Sequence, residues 1–180
     1  MKTMTSEEWA DELGNLILPS GKSEKVTFIG VGNPIKNDDS VGLYMSSKLR
    51  KEHGANPTKS IRILSASSPE TAFSKIGKDS KFESETIVIF DAVESDSPPG
   101  SIIFANVKET RYGFFATHNI PLRLIPSVSA NIAKVFVLGI QAENTDIGEN
   151  LSKTVRESAD RVVSRIGEVI KQVRRHHGRI

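Results

Sequence analysis

Two adjacent carboxylates, Asp38 and Asp39, lie within Gly30-Val31-Gly32-Asn33-Pro34-Ile35-Lys36-Asn37-Asp38-Asp39-Ser40-Val41-Gly42. Two further polar groups stand far along the chain: Asp91 in Phe90-Asp91-Ala92, and His118 in Thr117-His118-Asn119-Ile120-Pro121-Leu122. Two carboxylates and an imidazole form an oxygen and nitrogen ligand set suited to a borderline divalent metal such as zinc, nickel or manganese. The same groups could run a metal-independent hydrolysis, with Asp39 or Asp91 as general base and His118 exchanging protons. Each has a plain structural reading as well. The acid pair can cap a helix and favour its dipole, Asp91 can cap the turn after its strand, and a loop histidine is commonly a satisfied surface group.

Other chemistries fit less well. Dinucleotide binding asks for GxGxxG, but Ile35 takes the third glycine position and Pro34 removes an amide donor where a phosphate needs one. A P-loop asks for Gly-Lys-Ser after a strand and glycine loop; Gly21-Lys22-Ser23 matches only locally, and Lys36 lacks that setting. The GxSxG of a serine hydrolase is absent.

The glycine loop follows Val26-Thr27-Phe28-Ile29, a β-branched and aromatic run, and precedes Val41, Met45 and Leu49 at four-residue spacing. The unit therefore reads as strand, loop, helix. In a parallel sheet such a loop falls at the carboxyl end of its strand, where open α/β folds bind ligands. Asn37 or Asp38 can serve as N-cap, leaving one carboxylate of the Asp38-Asp39 pair free to face the crevice. Four more apolar runs, 61–64, 86–90, 102–105 and 135–140, supply further strands. The unbroken apolarity of 86–90 and 135–138 marks the sheet centre. Pro98-Pro99-Gly100 is a turn short enough to make the fourth strand antiparallel to the third. Ser68-Pro69-Glu70 opens a helix through Ala72, Phe73 and Ile76. Leu151, Val155, Ala159, Val162, Ile166, Val169 and Val173 define a long final helix.

The predicted fold is accordingly α/β: a three-layer α/β/α sandwich with a mostly parallel, five-stranded sheet. One domain is expected, with residues 1–24 an N-terminal helical extension, 25–174 the catalytic unit, and 175–180 a basic tail. The extension carries Trp9, Leu13, Leu16 and Ile17 on one face and is expected to cover a sheet face or edge. The tail's His176 and His177 read as part of a solvated end.

Composition narrows the classes. Over 180 residues, 24 Lys and Arg stand against 22 Asp and Glu, a net charge of +2, with no basic run suited to nucleic acid. The absence of cysteine removes disulfides, thiolate metal sites and thiol nucleophiles together. Residues 1–15 carry Glu7, Glu8, Asp11 and Glu12, unlike an export leader, and no apolar run approaches ~20 residues. A cytoplasmic, monomeric protein without membrane insertion is expected.

Taken together, the glycine loop with Asp38-Asp39 and Gly42, Phe90-Asp91-Ala92, Thr117-His118-Asn119-Ile120-Pro121-Leu122 and Leu138-Gly139-Ile140-Gln141 resemble the nickel-iron hydrogenase maturation endopeptidases. The order and spacing agree over about residues 26–173. The chain looks most like the branch serving formate-hydrogenlyase and energy-converting hydrogenases. The resemblance implies removal of a short C-terminal extension from the precursor of the hydrogenase large subunit after nickel insertion. It also implies that Asp39, Asp91 and His118 contact metal, as catalytic and metal-recognising residues together. Nickel would be supplied by the substrate, so no permanently bound cofactor is required. Asp38 is then expected as helix cap or hydrogen-bonding partner of His118. A metal-sensing binding module or chaperone that does not cut would use the same residues. Where relatives often carry Asp-Gly-Gly after the second strand, this chain has Leu64-Ser65-Ala66-Ser67-Ser68-Pro69-Glu70.

Overall fold

A computed structural model describes residues 8–17, 24–66, 71, 84–107, 115–116 and 132–177. Six strands form one sheet: β1 (Glu24–Gly30), β2 (Ile61–Ser65), β3 (Ser84–Glu94), β4 (Ile102–Asn106), β5 (Phe115–Ala116) and β6 (Ile132–Gln141). The order is β2-β1-β3-β6-β4, with the two-residue β5 paired to β3 off this path. β2, β1, β3 and β6 run parallel. Among the described residues the helices are α1 (Glu8–Ile17), α2 (Val41–His53) and α3 (Lys153–His177), with a 3-10 turn at Asn37–Ser40 before α2. This is the expected α/β architecture, a mostly parallel sheet with helices packed on it.

Strand alternation explains the unbroken apolar runs. Along β3, Val88, Phe90 and Ala92 join the cluster that also holds α1, α2 and α3, while Ile87 and Ile89 join a second cluster with Ile29, Val135 and Val137. Side chains on both faces are buried, so a central strand has no polar face to show. Phe28 and Phe90 stack at 5.3 Å between ring centroids and fix the register of β1 on β3.

On α3, Val155, Ala159, Val162, Ile166, Val169 and Val173 are all essentially inaccessible. Each Val or Ile so buried stabilises the fold by about 1.5–3 kcal/mol relative to exposure. Across the α2–α3 seam, Asp160 accepts hydrogen bonds from Tyr44 at 2.7 Å and Lys48 at 2.8 Å. Burial alone would raise the Asp160 carboxyl. The hydrogen bonds from Lys48 and Tyr44, with the Lys48 and Arg156 charges, outweigh it and hold the carboxyl below its ordinary value.

Several expectations change. β4 does run opposite to β3, but its neighbour is β6, with Phe104 stacked on Phe136 at 5.1 Å. β3 extends to Glu94, so Asp91 lies within the strand instead of at its end. α1 goes deeper than a covering extension: Trp9, Ala10, Leu13 and Ile17 are buried in the main cluster with side chains of the sheet, and the helix packs against α3. The basic residues from Arg174 to His177 continue α3. The helix expected through Ala72, Phe73 and Ile76, Thr71 apart, lies outside the described residues, as does the turn after Pro121.

The first turn of α2 comes against the ends of β1 and β3 because position 42 has no side chain. A Cβ on Gly42 would lie 2.2 Å from the Phe90 carbonyl oxygen and 2.3 Å from that of Val31. Gly42→Ala should therefore lower the unfolding free energy by about 2–3 kcal/mol in urea denaturation. Gly14→Ala on α1, where a Cβ meets nothing within 4 Å, should raise it by about 0.5–1 kcal/mol.

A pH dependence follows from the far end of α2. The His53 ring is buried against Gly167, its Nε2 without a hydrogen bond, while Arg174 bonds the His53 carbonyl oxygen at 2.8 Å. Burial first, then the charges of Arg174 and Lys171, lower its pKa against the opposing pull of Glu52. A lowered histidine pKa means the unfolded chain takes up the proton first. Stability should fall as pH drops through about 6.5 toward the folded value, and be unaffected above it. Thermal melts from pH 7.5 to 5 should show a smaller decline in His53→Gln than in the parent chain.

Candidate active site

Three loops meet at the carboxyl edge of the sheet. The first leaves β1 and is held to β3 at once, the Val31 N–H donating to the Phe90 carbonyl oxygen at 3.0 Å. It then turns on Asn33, whose Oδ1 accepts the Ile35 N–H at 3.2 Å, and closes by Asp39 N–H to the Lys36 carbonyl oxygen at 2.8 Å. The 3-10 turn that follows carries both aspartates and packs against β3. Asp39 is thereby buried, at 5% exposure, beside the strand that carries Asp91, which is wholly buried.

By strand alternation Asp91 lies on the same side of β3 as Ile87 and Ile89. Its Oδ1 accepts the N–H of Ala92 at 2.9 Å, so the strand's own backbone holds it. Just beyond, Gln141 ties β6 to β3, its Oε1 accepting both the N–H and the hydroxyl of Ser95 at 2.7 Å. The structure places Asp39 in the turn that packs against β3, and Asp91 within β3 itself. His118 lies outside the described residues. The described segment before it is β5, where Ala116 pairs with Val93, two residues beyond Asp91. Among the described residues no group of three His, Asp or Glu side chains is placed to hold a metal ion. The donor chemistry of Asp39 and Asp91 suits a hard or borderline cation, and a third donor would come from His118 or from the metal's existing ligands.

Asp38 does not cap a helix. Neither the 3-10 turn nor α2 has a side-chain cap. Fully buried, its carboxylate reaches across to the loop between β6 and α3. Oδ1 accepts the Ser152 N–H at 2.7 Å, while Oδ2 accepts the N–H groups of Glu143 at 3.0 Å and Asn144 at 2.9 Å and the Ser152 hydroxyl at 2.8 Å. Four charge-assisted hydrogen bonds offset the cost of burying this anion. Backbone pairing extends the seam: the Asn37 N–H donates to Gly148 at 2.8 Å, and the Gly148 N–H to Ile35 at 3.0 Å. A Cβ at Gly148 would lie 2.1 Å from Asn37 Oδ1 and displace that side chain. Sequence reading missed this loop. Its turn-forming run Asn144-Thr145-Asp146-Ile147-Gly148-Glu149-Asn150 was the available signal, but nothing local ties it to position 38.

The comparisons with known proteins agree on one family. A profile for hydrogenase maturation proteases matches residues 72–169, more than half of the chain. The chain belongs to the hydrogenase maturation proteases. It is therefore a peptide hydrolase. Among related chains, one from Methanocaldococcus jannaschii that carries the same family name is 28% identical over 157 residues, covering 84% of this chain and 91% of its own. The crystal structure of a NiFe hydrogenase maturation protease, HycI, from Thermococcus kodakarensis KOD1 superposes with a TM-score of 0.69 at 26% identity, covering 89% of this chain and 99% of that one. The Escherichia coli endopeptidase HycI shares the fold, with a TM-score of 0.62 at 22% identity over 78% of this chain and 87% of its own.

For this maturation protease, Asp38→Asn tests the cross-loop anchor. An amide can still accept from Ser152 but turns its NH2 toward the Glu143 and Asn144 N–H donors, leaving buried donors unsatisfied. Unfolding free energy should drop by about 2–4 kcal/mol. Hydrogen exchange of the Glu143, Asn144 and Ser152 amides should accelerate more than that of the β3 amides.

Proposed function

We propose that this protein is the endopeptidase that removes the C-terminal extension from the precursor of a NiFe-hydrogenase large subunit once nickel has been inserted. The observation that carries the reading is that two carboxylates, Asp39 and Asp91, lie buried where the turn that follows β1 packs against β3. Carboxylates at a buried sheet edge carry a desolvation cost that a bound cation relieves. Nickel already ligated by the precursor would be part of the substrate. Asp39, Asp91 and His118 would read it as the mark of a completed centre and hold the adjoining tail for cleavage. As a Lewis acid the metal can also polarise a carbonyl or activate water. Without such a role for it, Asp39 or Asp91 takes the water proton and His118 returns one to the leaving amine.

Mass spectrometry of a tail-bearing large-subunit precursor, with and without nickel, tests this reading. With the protein present, the nickel-loaded precursor should lose the mass of its extension and the nickel-free one should not. Asp39→Asn, Asp91→Asn and His118→Ala should each slow cleavage at least about 100-fold in a folded protein. Treating the protease alone with a chelator, then removing the chelator, should leave activity intact. An unchanged mass of the nickel-loaded precursor would contradict the protease reading and favour a metal-sensing binding module.

A further inference from the structure

Ile35 and Ile147 are the two large hydrophobic side chains left exposed among the described residues, at 56% and 87%. A single exposed isoleucine is ordinary. These two are 112 positions apart, yet their loops are fastened together by the Gly148 N–H bond to the Ile35 carbonyl, the Lys36–Gly148 bridge and the four hydrogen bonds to Asp38. The pair is thus presented by fixed backbone, which reduces the ordering cost of binding. Exposed Lys36, Asp146 and Glu149 surround it with charges of both signs. The tip is four residues from Asp39, and Asp39 N–H is bonded to the Lys36 carbonyl. Through Pro34, the tip continues into an open groove of about 730 Å³ along α2, lined by Leu43, Tyr44, Lys48 and Lys51 among others.

From this arrangement we infer that Ile35 and Ile147 form a docking ledge for the folded body of the large-subunit precursor. The inference rests on the function proposed above. A tail cleaved beside Asp39 belongs to a bulky protein, and that protein must rest on whatever surface adjoins Asp39. The ledge is the described part of that surface reached along the Asp39 loop: two exposed isoleucines among charges of both signs, the anatomy of a protein–protein contact. It would contribute to holding the precursor and nothing to breaking the bond.

The test is the double variant Ile35→Ser/Ile147→Ser. Steady-state cleavage and direct titration are measured with the nickel-loaded, tail-bearing precursor of the same organism. KM and Kd should rise roughly tenfold or more while kcat stays within about twofold. An unchanged KM and Kd overturns the inference, as does loss of kcat alone. If the parent chain binds the precursor without cutting it, the proposed function fails while the affinities still decide the ledge. If sedimentation shows a dimer that the variant dissolves, with Kd for precursor unaltered, the pair serves a second copy of this chain and the inference is wrong.

Discussion

The contact on which the site depends is the close approach of the first turn of α2 to the ends of β1 and β3. Two backbones come together there because position 42 has no Cβ to intervene between the helix and the carbonyls of Val31 and Phe90. This is a packing constraint before it is a chemical one. It draws the turn carrying Asp39 down onto the strand carrying Asp91. The structure uses Gly42 to remove space.

Asp38 completes the arrangement from the other side. Its four hydrogen bonds carry no register information along the chain, but they fasten the loop between β6 and α3 to the loop after β1. Adjacent in sequence, Asp38 and Asp39 divide the work. One is consumed by backbone N–H groups and holds the architecture; the other sits at the sheet edge, in the proposed reading facing substrate. A buried carboxylate with every oxygen engaged by donors is a structural fastener.

Much of this was legible in the sequence, for reasons that are local or pairwise. The runs at 86–90 and 135–140 announced central parallel strands because a strand buried on both faces has no polar side. The final helix was legible from its 3.6 period, and the direction of β4 from a turn too short for a crossover. Long-range partners were not. Strand order placed β6 between β3 and β4, and the aromatic pair Phe104–Phe136, which joins them, has no signature in either segment alone. Nor could spacing show that Asp38 bonds residues more than 100 positions away, or that Trp9 and Leu13 enter the main core instead of decorating it. Asp39 was singled out in the loop after the first strand and Asp91 at the expected end of the third, inside which the structure places it.

The account's central claim is that the carboxylates at this edge meet a metal already held by the substrate. Nickel K-edge X-ray absorption of the nickel-loaded precursor, alone and in complex with this protein, tests that claim most directly. The account predicts that added oxygen and nitrogen ligands appear in the nickel coordination shell on complex formation and that the oxygen contribution falls in Asp39→Ala and Asp91→Ala complexes of equal occupancy. A nickel spectrum unaltered by saturating binding of the parent protein would contradict it.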